Sequence, residues 1–355
     1  SGKDFNLKSL EKIRELNKLK KNYNFEVIFD GGVKTTNINR IDAKYIVSSS
    51  GILSSKNPIQ SFMELKTSSR YTSIDKKLKR NLFLGIRKTI ESIPFVEACS
   101  IVGSFSEGGN LKGINDIDII VILDELKKKK FNHVLEKFQK LKKEIESRYA
   151  YPVFINNTLG PIKFNDNSIV FHLMIYDIES HREHCLQSPF TCFDWQRSKI
   201  FIKRPISEIY KVSDLQLKNF FDSRRSPNDY LSDIKANKIS YRVYQFKGEK
   251  VIEQKKYRDM DKRDRIEFSY HIVKFLISNF LKVYYFKNEV YPLEEMLDKY
   301  FNIFPINKKI HKRAIKYLFR LKRERNFIEL LWLINWLEVF IRDFESQFKE
   351  LFEIK

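Results

Sequence analysis

Asp116 and Asp118 open an apolar run that continues through Leu123, and Gly103 and Ser104 close an earlier apolar run, Ala98 to Val102. An extended chain sends alternate side chains to one face, so the two carboxylates point the same way and Ile117 points away from them. Like charges so placed repel each other unless a cation sits between them. Hard divalent cations take oxygen ligands, commonly one or two carboxylates together with substrate phosphates. Gly103 lets the backbone come close to a phosphate, and Ser104 offers both a hydroxyl and an amide. The expected chemistry is therefore a site for a nucleoside triphosphate carrying Mg²⁺ or Mn²⁺. Asp116 and Asp118 would hold the metal, and Gly103 and Ser104 the phosphates.

The surrounding pattern supplies elements to position these groups. Ser73 or Asp75 can cap a helix running to about Ser92, with Leu78, Leu82, Ile86 and Ile90 on one stripe. Pro94 stops it, and the strand ending at Gly103-Ser104 comes next. A polar loop with Gly108, Gly109 and Gly113 leads to the strand of paired aspartates. Asp124-Glu125 then opens a helix to about Ser147, whose lysines line its outer face. Two further strands are expected, Pro152 to Asn156 and Ile169 to Asp177, joined by a polar turn at Asn165-Asp166-Asn167.

Gly103-Ser104, a loop, and then Asp116-x-Asp118 on the next strand resemble the nucleotidyltransferase superfamily. That superfamily includes DNA polymerase β, aminoglycoside nucleotidyltransferases, poly(A) polymerases and CCA-adding enzymes. The resemblance spans roughly residues 75 to 205. It implies an α+β fold with a mixed β-sheet flanked by helices. It also implies transfer of a nucleoside monophosphate from a triphosphate, ATP being the commonest, to a hydroxyl or phosphate with release of pyrophosphate. The family's sheet usually bears a third carboxylate on a neighbouring strand, pointing at the same metals. Here that strand reads IVFHLMIYD, and His172 stands where the acid is expected, on one face with Val170, Met174 and Tyr176. His172 is then a metal ligand, a base, or the mark of a site that binds nucleotide without turning it over. Trp195 to Arg204 resembles the strand by which small-molecule members close their sheet. Its cations Arg197, Lys199, Lys203 and Arg204 are candidates to neutralise the nucleotide's phosphates.

Residues 1–72 read as an accessory region of unknown role. It begins with an amphipathic helix over residues 3–22 and continues through short strands such as Ala43 to Val47. Residues 73–212 read as the catalytic domain and 213–260 as a mixed connector, with Arg224 and Arg225 in a turn. Residues 261–355 read as an antiparallel helical bundle, and the resemblance implies that it holds the acceptor. Its expected helices are one from Asp261, a basic one from Lys308 to Arg325 and an apolar one from Phe327 to Phe348. His181, His184, Cys185 and Cys192 have spacings that fit no closed four-ligand zinc pattern, and a helix start with exposed histidines is the expectation there.

Composition sets the outer bounds. The 355 residues are 42% hydrophobic and 14% aromatic, which excludes a disordered chain. The net charge of +21 favours a polyanionic partner, although the abundance of Lys, Ile, Asn and Phe also suits an AT-rich coding sequence. Three cysteines are too few for a disulfide framework, in keeping with a cytoplasmic protein. No leader or membrane-spanning segment is expected, and Ser1-Gly2 reads as a cloning remnant. A small-molecule acceptor suits the chain's size and the 195–204 resemblance better than RNA, whose 3′ end is the alternative suggested by the charge. A non-catalytic nucleotide-binding partner in a toxin–antitoxin pair is the reading from a different class. The oligomeric state is open.

Overall fold

The computed structural model describes residues 5–352 except 7, 21, 56, 69–75, 107–115, 150–151, 161–167, 213–214, 224, 288 and 325–326. The fold is mixed α+β, as expected. The chain divides into two compact units, which exchange segments along the sequence. The first holds residues 1–157, 164–175 and 198–204, and the second holds 158–163, 176–197 and 205–355.

The first unit opens with α1 (Lys8–Leu19), β1 (Ile28–Asp30), β2 (Tyr45–Val47), α2 (Ser50–Leu53) and α3 (Pro58–Ser68). β1 and β2 form a two-stranded parallel sheet. Around it Ile13, Val27, Phe29, Val33, Ile38, Ile41, Ala43 and Leu65 make a small core. The helix expected over 3–22 is shorter than the pattern suggested, and its stripe is only partly used, because Leu16 and Leu19 remain exposed.

The elements that carry the site are α4 (Lys76–Glu91), β3 (Val96–Val102), β4 (Asp116–Leu123), α5 (Lys128–Tyr149), β5 (Val153–Asn156) and β6 (Ile169–Asp177). The α4 stripe is buried throughout: Leu78, Leu82, Ile86 and Ile90. Gly85 lets α4 approach α5, since a Cβ there would meet Leu141 Cδ1 at 2.7 Å. α5 buries Phe131, Val134, Phe138, Leu141 and Ile145, and Phe138 meets Phe171 of β6 edge to face at 5.6 Å. The Asn165 turn and the capping residues Ser73 and Asp75 lie outside the described residues.

After β6 come α6 (Ile178–Gln187), α7 (Pro189–Gln196) and β7 (Phe201–Ile202). The sheet order is β5-β6-β4-β3-β7. β3 runs antiparallel to both β4 and β7, while β5 and β6 are parallel. The strand expected over Trp195 to Arg204 is mostly something else: Trp195 and Gln196 end α7, and strand geometry is confined to Phe201–Ile202. Phe190 and Cys192, buried in α7, commit that sequence to helix packing before the chain reaches the sheet.

The second unit continues with α8 (Leu217–Ser223), α9 (Arg225–Ala236), β8 (Lys238–Lys247), β9 (Lys250–Asp259), α10 (Lys262–Tyr284), α11 (Leu293–Ile303), α12 (Lys308–Glu324) and α13 (Leu333–Leu351). The stretch 213–260, expected as a mixed connector, is built of regular elements. It contains two helices and a ten-residue-per-strand antiparallel hairpin, β8–β9. Arg225 begins α9 rather than sitting in a turn, and Arg224 is outside the described residues. α10 starts with a capping box in which Asp261 accepts from the Asp264 amide at 2.8 Å. Arg258 clamps the buried Asp264 through two hydrogen bonds of 2.7 and 2.9 Å. The core is aromatic: Phe280 packs against Phe220, Tyr300, Phe304, Phe344 and Phe348. The apolar helix expected from Phe327 begins later, at Leu333. No helix among the described residues is long and apolar enough to cross a membrane.

Candidate functional site

The site is built at the end of β3. Val102 is the cross-strand partner of Asp118, and the chain then turns tightly through Gly103–Phe105. Gly103 has φ 69°, a left-handed conformation. Such a conformation costs roughly 1–2 kcal/mol for a residue with a Cβ. A Cβ on Gly103 would also meet Asp118 Oδ2 at 2.6 Å. Two constraints therefore call for glycine, and the second shows that the Asp118 carboxylate lies directly against the turn. The Ser106 hydroxyl and amide both donate to the Gly103 carbonyl, at 2.6 and 3.1 Å, and Phe105 is buried beneath. Ser104 is exposed at the outside of the bend. Successive amides in a tight turn can face an anion.

On β4 the burial pattern follows the expected parity, with Asp116 and Asp118 half-buried and Ile117 buried. From β6, next to β4 in the sheet, His172 Nδ1 reaches Asp118 Oδ1 at 2.8 Å. His172 is the one interior position of β6 that is not buried. Its parallel partner on β5 is Asn156, which is buried. With Asp118 ionised, Nδ1–H donates to the carboxylate. Asp116, Asp118, His172, Gly103 and Ser104 thus come from two adjacent strands, β4 and β6, and the turn that follows β3.

The expected cations divide three ways. Ile101 donates its amide to the Ile200 carbonyl at 2.9 Å, and the Ser198 hydroxyl bonds the Ile101 carbonyl. Continuing the register of β3 and β7 sets the exposed Lys199 opposite Val102, at the Gly103 end of the strand. Lys203 lies at the other end. Its ammonium donates to the carbonyls of Ile93, Pro94 and Val96, at 2.7, 3.3 and 2.6 Å. β3 is seven residues long, so about 20 Å of strand separates these carbonyls from Gly103. That correction has a local cause: Lys203 has φ 64°, and its side chain fastens this bend to the start of β3. Arg204 is engaged nearby by Glu97 at 2.7 Å. Arg197 belongs to the second unit and pairs with Asp194 at 3.3 Å.

Lys79 was missed among the many lysines of α4. Its ammonium lies 4.9 Å from the centroid of the Phe105 ring, beside the Gly103 turn, and burial lowers its pKa. Only the packing of α4 against the turn singles it out, since KKLKR has no distinguishing pattern.

The histidines of α6 are not exposed as expected. His181 is fully buried with Nε2 3.6 Å from Cys185 Sγ, and its Nδ1 has no hydrogen-bond partner among the described residues. Cys185 and Cys192 are hydrogen-bonded to each other, and this contact, with His181, pulls the Cys185 pKa to about 6 against the rise from burial. His184 stacks between Tyr176 and Trp195 at 5.3 and 5.2 Å, and burial lowers its pKa to about 4. Among the described residues no group of three or more His, Cys, Asp or Glu side chains is arranged to hold a metal ion.

The mixed sheet thus carries two same-face carboxylates against a Gly-Ser turn. Residues 83–182 match the family model for the nucleotidyltransferase domain, which is consistent with a member of the nucleotidyltransferase superfamily. Comparison with curated proteins and with solved structures returned no match.

Proposed function

We propose that the protein transfers a nucleoside monophosphate from a nucleoside triphosphate, ATP first among the candidates, to a hydroxyl of a small-molecule acceptor. The observation that carries this reading is the meeting of the Asp118 carboxylate with the Gly103 turn, with Asp116 on the same face of β4. Two half-buried carboxylates are a fitting donor set for one Mg²⁺ or Mn²⁺, whose remaining positions suit phosphate oxygens and water. When bound, that cation would offset charge on the triphosphate and activate the leaving group. His172 stands in place of a third carboxylate, and among the described residues no group of three or more His, Cys, Asp or Glu side chains is arranged for a second metal.

The chain's own residues then have distinct tasks. Gly103 and the Ser104 amide and hydroxyl hold the β and γ phosphates, and Lys79 and Lys199 add positive charge at the turn. Asp116 and Asp118 would hold the cation, and His172 orients the Asp118 carboxylate through Nδ1. The acceptor oxygen forms its bond to the α-phosphorus as the bond to the bridging oxygen breaks, and pyrophosphate leaves with the electron pair. The acceptor proton passes to a base, a role for which His172 is the candidate. Positioning and charge neutralisation supply most of the acceleration in this chemistry.

A nucleic-acid 3′ end is the second reading, favoured by the basic face of α12. The test is pyrophosphate release from each of the four NTPs with Mg²⁺ or Mn²⁺, in wild type and an Asp116→Ala, Asp118→Ala double variant. Release by wild type that the double variant loses is expected. Absence of both release and calorimetric NTP·Mg²⁺ binding in wild type would sink the proposal. Nucleotide binding without turnover over a panel of acceptors would support the non-catalytic, toxin–antitoxin-type reading.

A further inference from the structure

α12 has two unlike faces. His311, Ile315, Leu318 and Leu321 are buried in the aromatic core of the second unit. On the side away from them, Lys309, Arg313, Lys316, Arg320 and Arg323 recur at intervals of three and four residues, which places them on a single stripe. At a rise of 1.5 Å per residue the stripe is roughly 20 Å long. α11 neutralises one flank of the helix: Lys312 pairs with Asp298, and Lys316 with Glu294. No carboxylate pairs with Lys309, Arg313 or Arg320 among the described residues, and all three are exposed. The other flank is aromatic. Arg320 lies over the Tyr317 ring at 5.0 Å, and Tyr317 neighbours the exposed Trp332 at 6.3 Å.

We infer that this face of α12 binds the backbone of a single-stranded nucleic acid. A row of cations a few ångströms apart, with Lys309, Arg313 and Arg320 uncompensated, matches a polymer that carries a phosphate at each nucleotide. The ledge formed by Tyr317 and Trp332 gives unpaired bases a surface to stack on, which a duplex would not use. A lipid surface fits less well, because an interfacial helix must insert its apolar face. The apolar face of α12 is already occupied by the core. The inference goes beyond the proposed transfer reaction and does not require it.

The test is fluorescence anisotropy of a labelled oligouridylate of about 20 nucleotides titrated with the full chain over a range of salt. Three proteins are compared: wild type, a Lys309→Glu, Arg313→Glu, Arg320→Glu variant, and a control with Lys247→Glu, Lys250→Glu and Lys256→Glu. The control changes exposed lysines of β8 and β9 by the same total charge. The α12 variant should bind at least tenfold more weakly and lose about 2 units of salt slope, the share of three single-strand phosphate contacts. The control should bind as wild type does. An equal loss in both variants would reduce the effect to net charge and overturn the inference, as would failure of wild type to bind. Binding by wild type to vesicles of anionic phospholipid, lost in the α12 variant, together with no oligonucleotide binding, would replace it with a membrane surface. NTP·Mg²⁺ calorimetry on all three proteins keeps the outcome separate from the transfer reaction, since the site in the first unit is intact in each.

Discussion

Gly103 and Asp118 form the tightest arrangement in the candidate site. The left-handed backbone and the 2.6 Å approach of Asp118 Oδ2 to a hypothetical Cβ act together, so even the smallest side chain must move either the turn or the carboxylate. Gly103→Ala should lower stability by about 1–2 kcal/mol, from the backbone alone. It should also weaken NTP·Mg²⁺ binding, because Asp118 is displaced. Thermal melting and calorimetry read the two effects, and unchanged nucleotide affinity would show that the turn does not set the carboxylate. Lys203 gives the opposite lesson. It has the charge and the sequence position of a phosphate ligand, yet three backbone carbonyls at the far end of β3 claim its ammonium.

At the scale of elements, α6 and α7 show how burial alters the chemistry of ordinary residues. The His184 ring is held between Tyr176 and Trp195, and its pKa falls from 6.5 to about 4. In the unfolded chain the same imidazole titrates at its ordinary value. As pH falls from 6.5 toward 4 the unfolded state takes up a proton that the folded state refuses, so stability is lost across that window. His184→Phe keeps a ring in the stack and removes the titration. Urea denaturation at pH 7 and pH 4.5 should show a smaller drop for this variant than for wild type, and equal drops would rule His184 out as the cause. The β8–β9 hairpin was not legible in advance for a related reason. Its strands carry charge on both faces, so no alternation of apolar and polar residues marks them. Cross-strand pairs such as Arg242 with Glu253, 2.6 Å apart, become visible only once the register is set.

For the molecule as a whole, ligand binding and stability are linked: a ligand that binds only the folded state stabilises it by RT ln(1 + [L]/Kd), about 2.7 kcal/mol at one hundred times Kd. ATP with Mg²⁺ should therefore raise the melting temperature. EDTA, or the Asp116→Ala, Asp118→Ala double variant, should cancel the increase. A shift that survives EDTA would mean that the triphosphate is held without the cation, by the turn and its lysines. The net charge of +21 is not spread evenly in its consequences. Many individual cations are held in local pairs and carbonyl contacts, as at Lys203, Lys312 and Lys316. The α12 stripe is a place where it remains concentrated, with Lys309, Arg313 and Arg320 uncompensated among the described residues.

The heart of the site was readable in the sequence because its signals are local. Strand parity alone aligns Asp116 with Asp118, and a Gly-Ser pair at the end of a β-branched run requires no knowledge of the rest of the chain. The same holds for α4, α5 and β6, whose apolar periods match the faces they bury. Tertiary structure decided everything that depends on contacts between residues distant in sequence. It paired His172 with Asp118, brought Lys79 to Phe105, fastened Lys203 to the start of β3 and buried His181 beside Cys185. A side chain's charge and type are properties of one residue. Which partner claims it depends on the register of strands and the packing of helices, and these are set by the burial of the whole core.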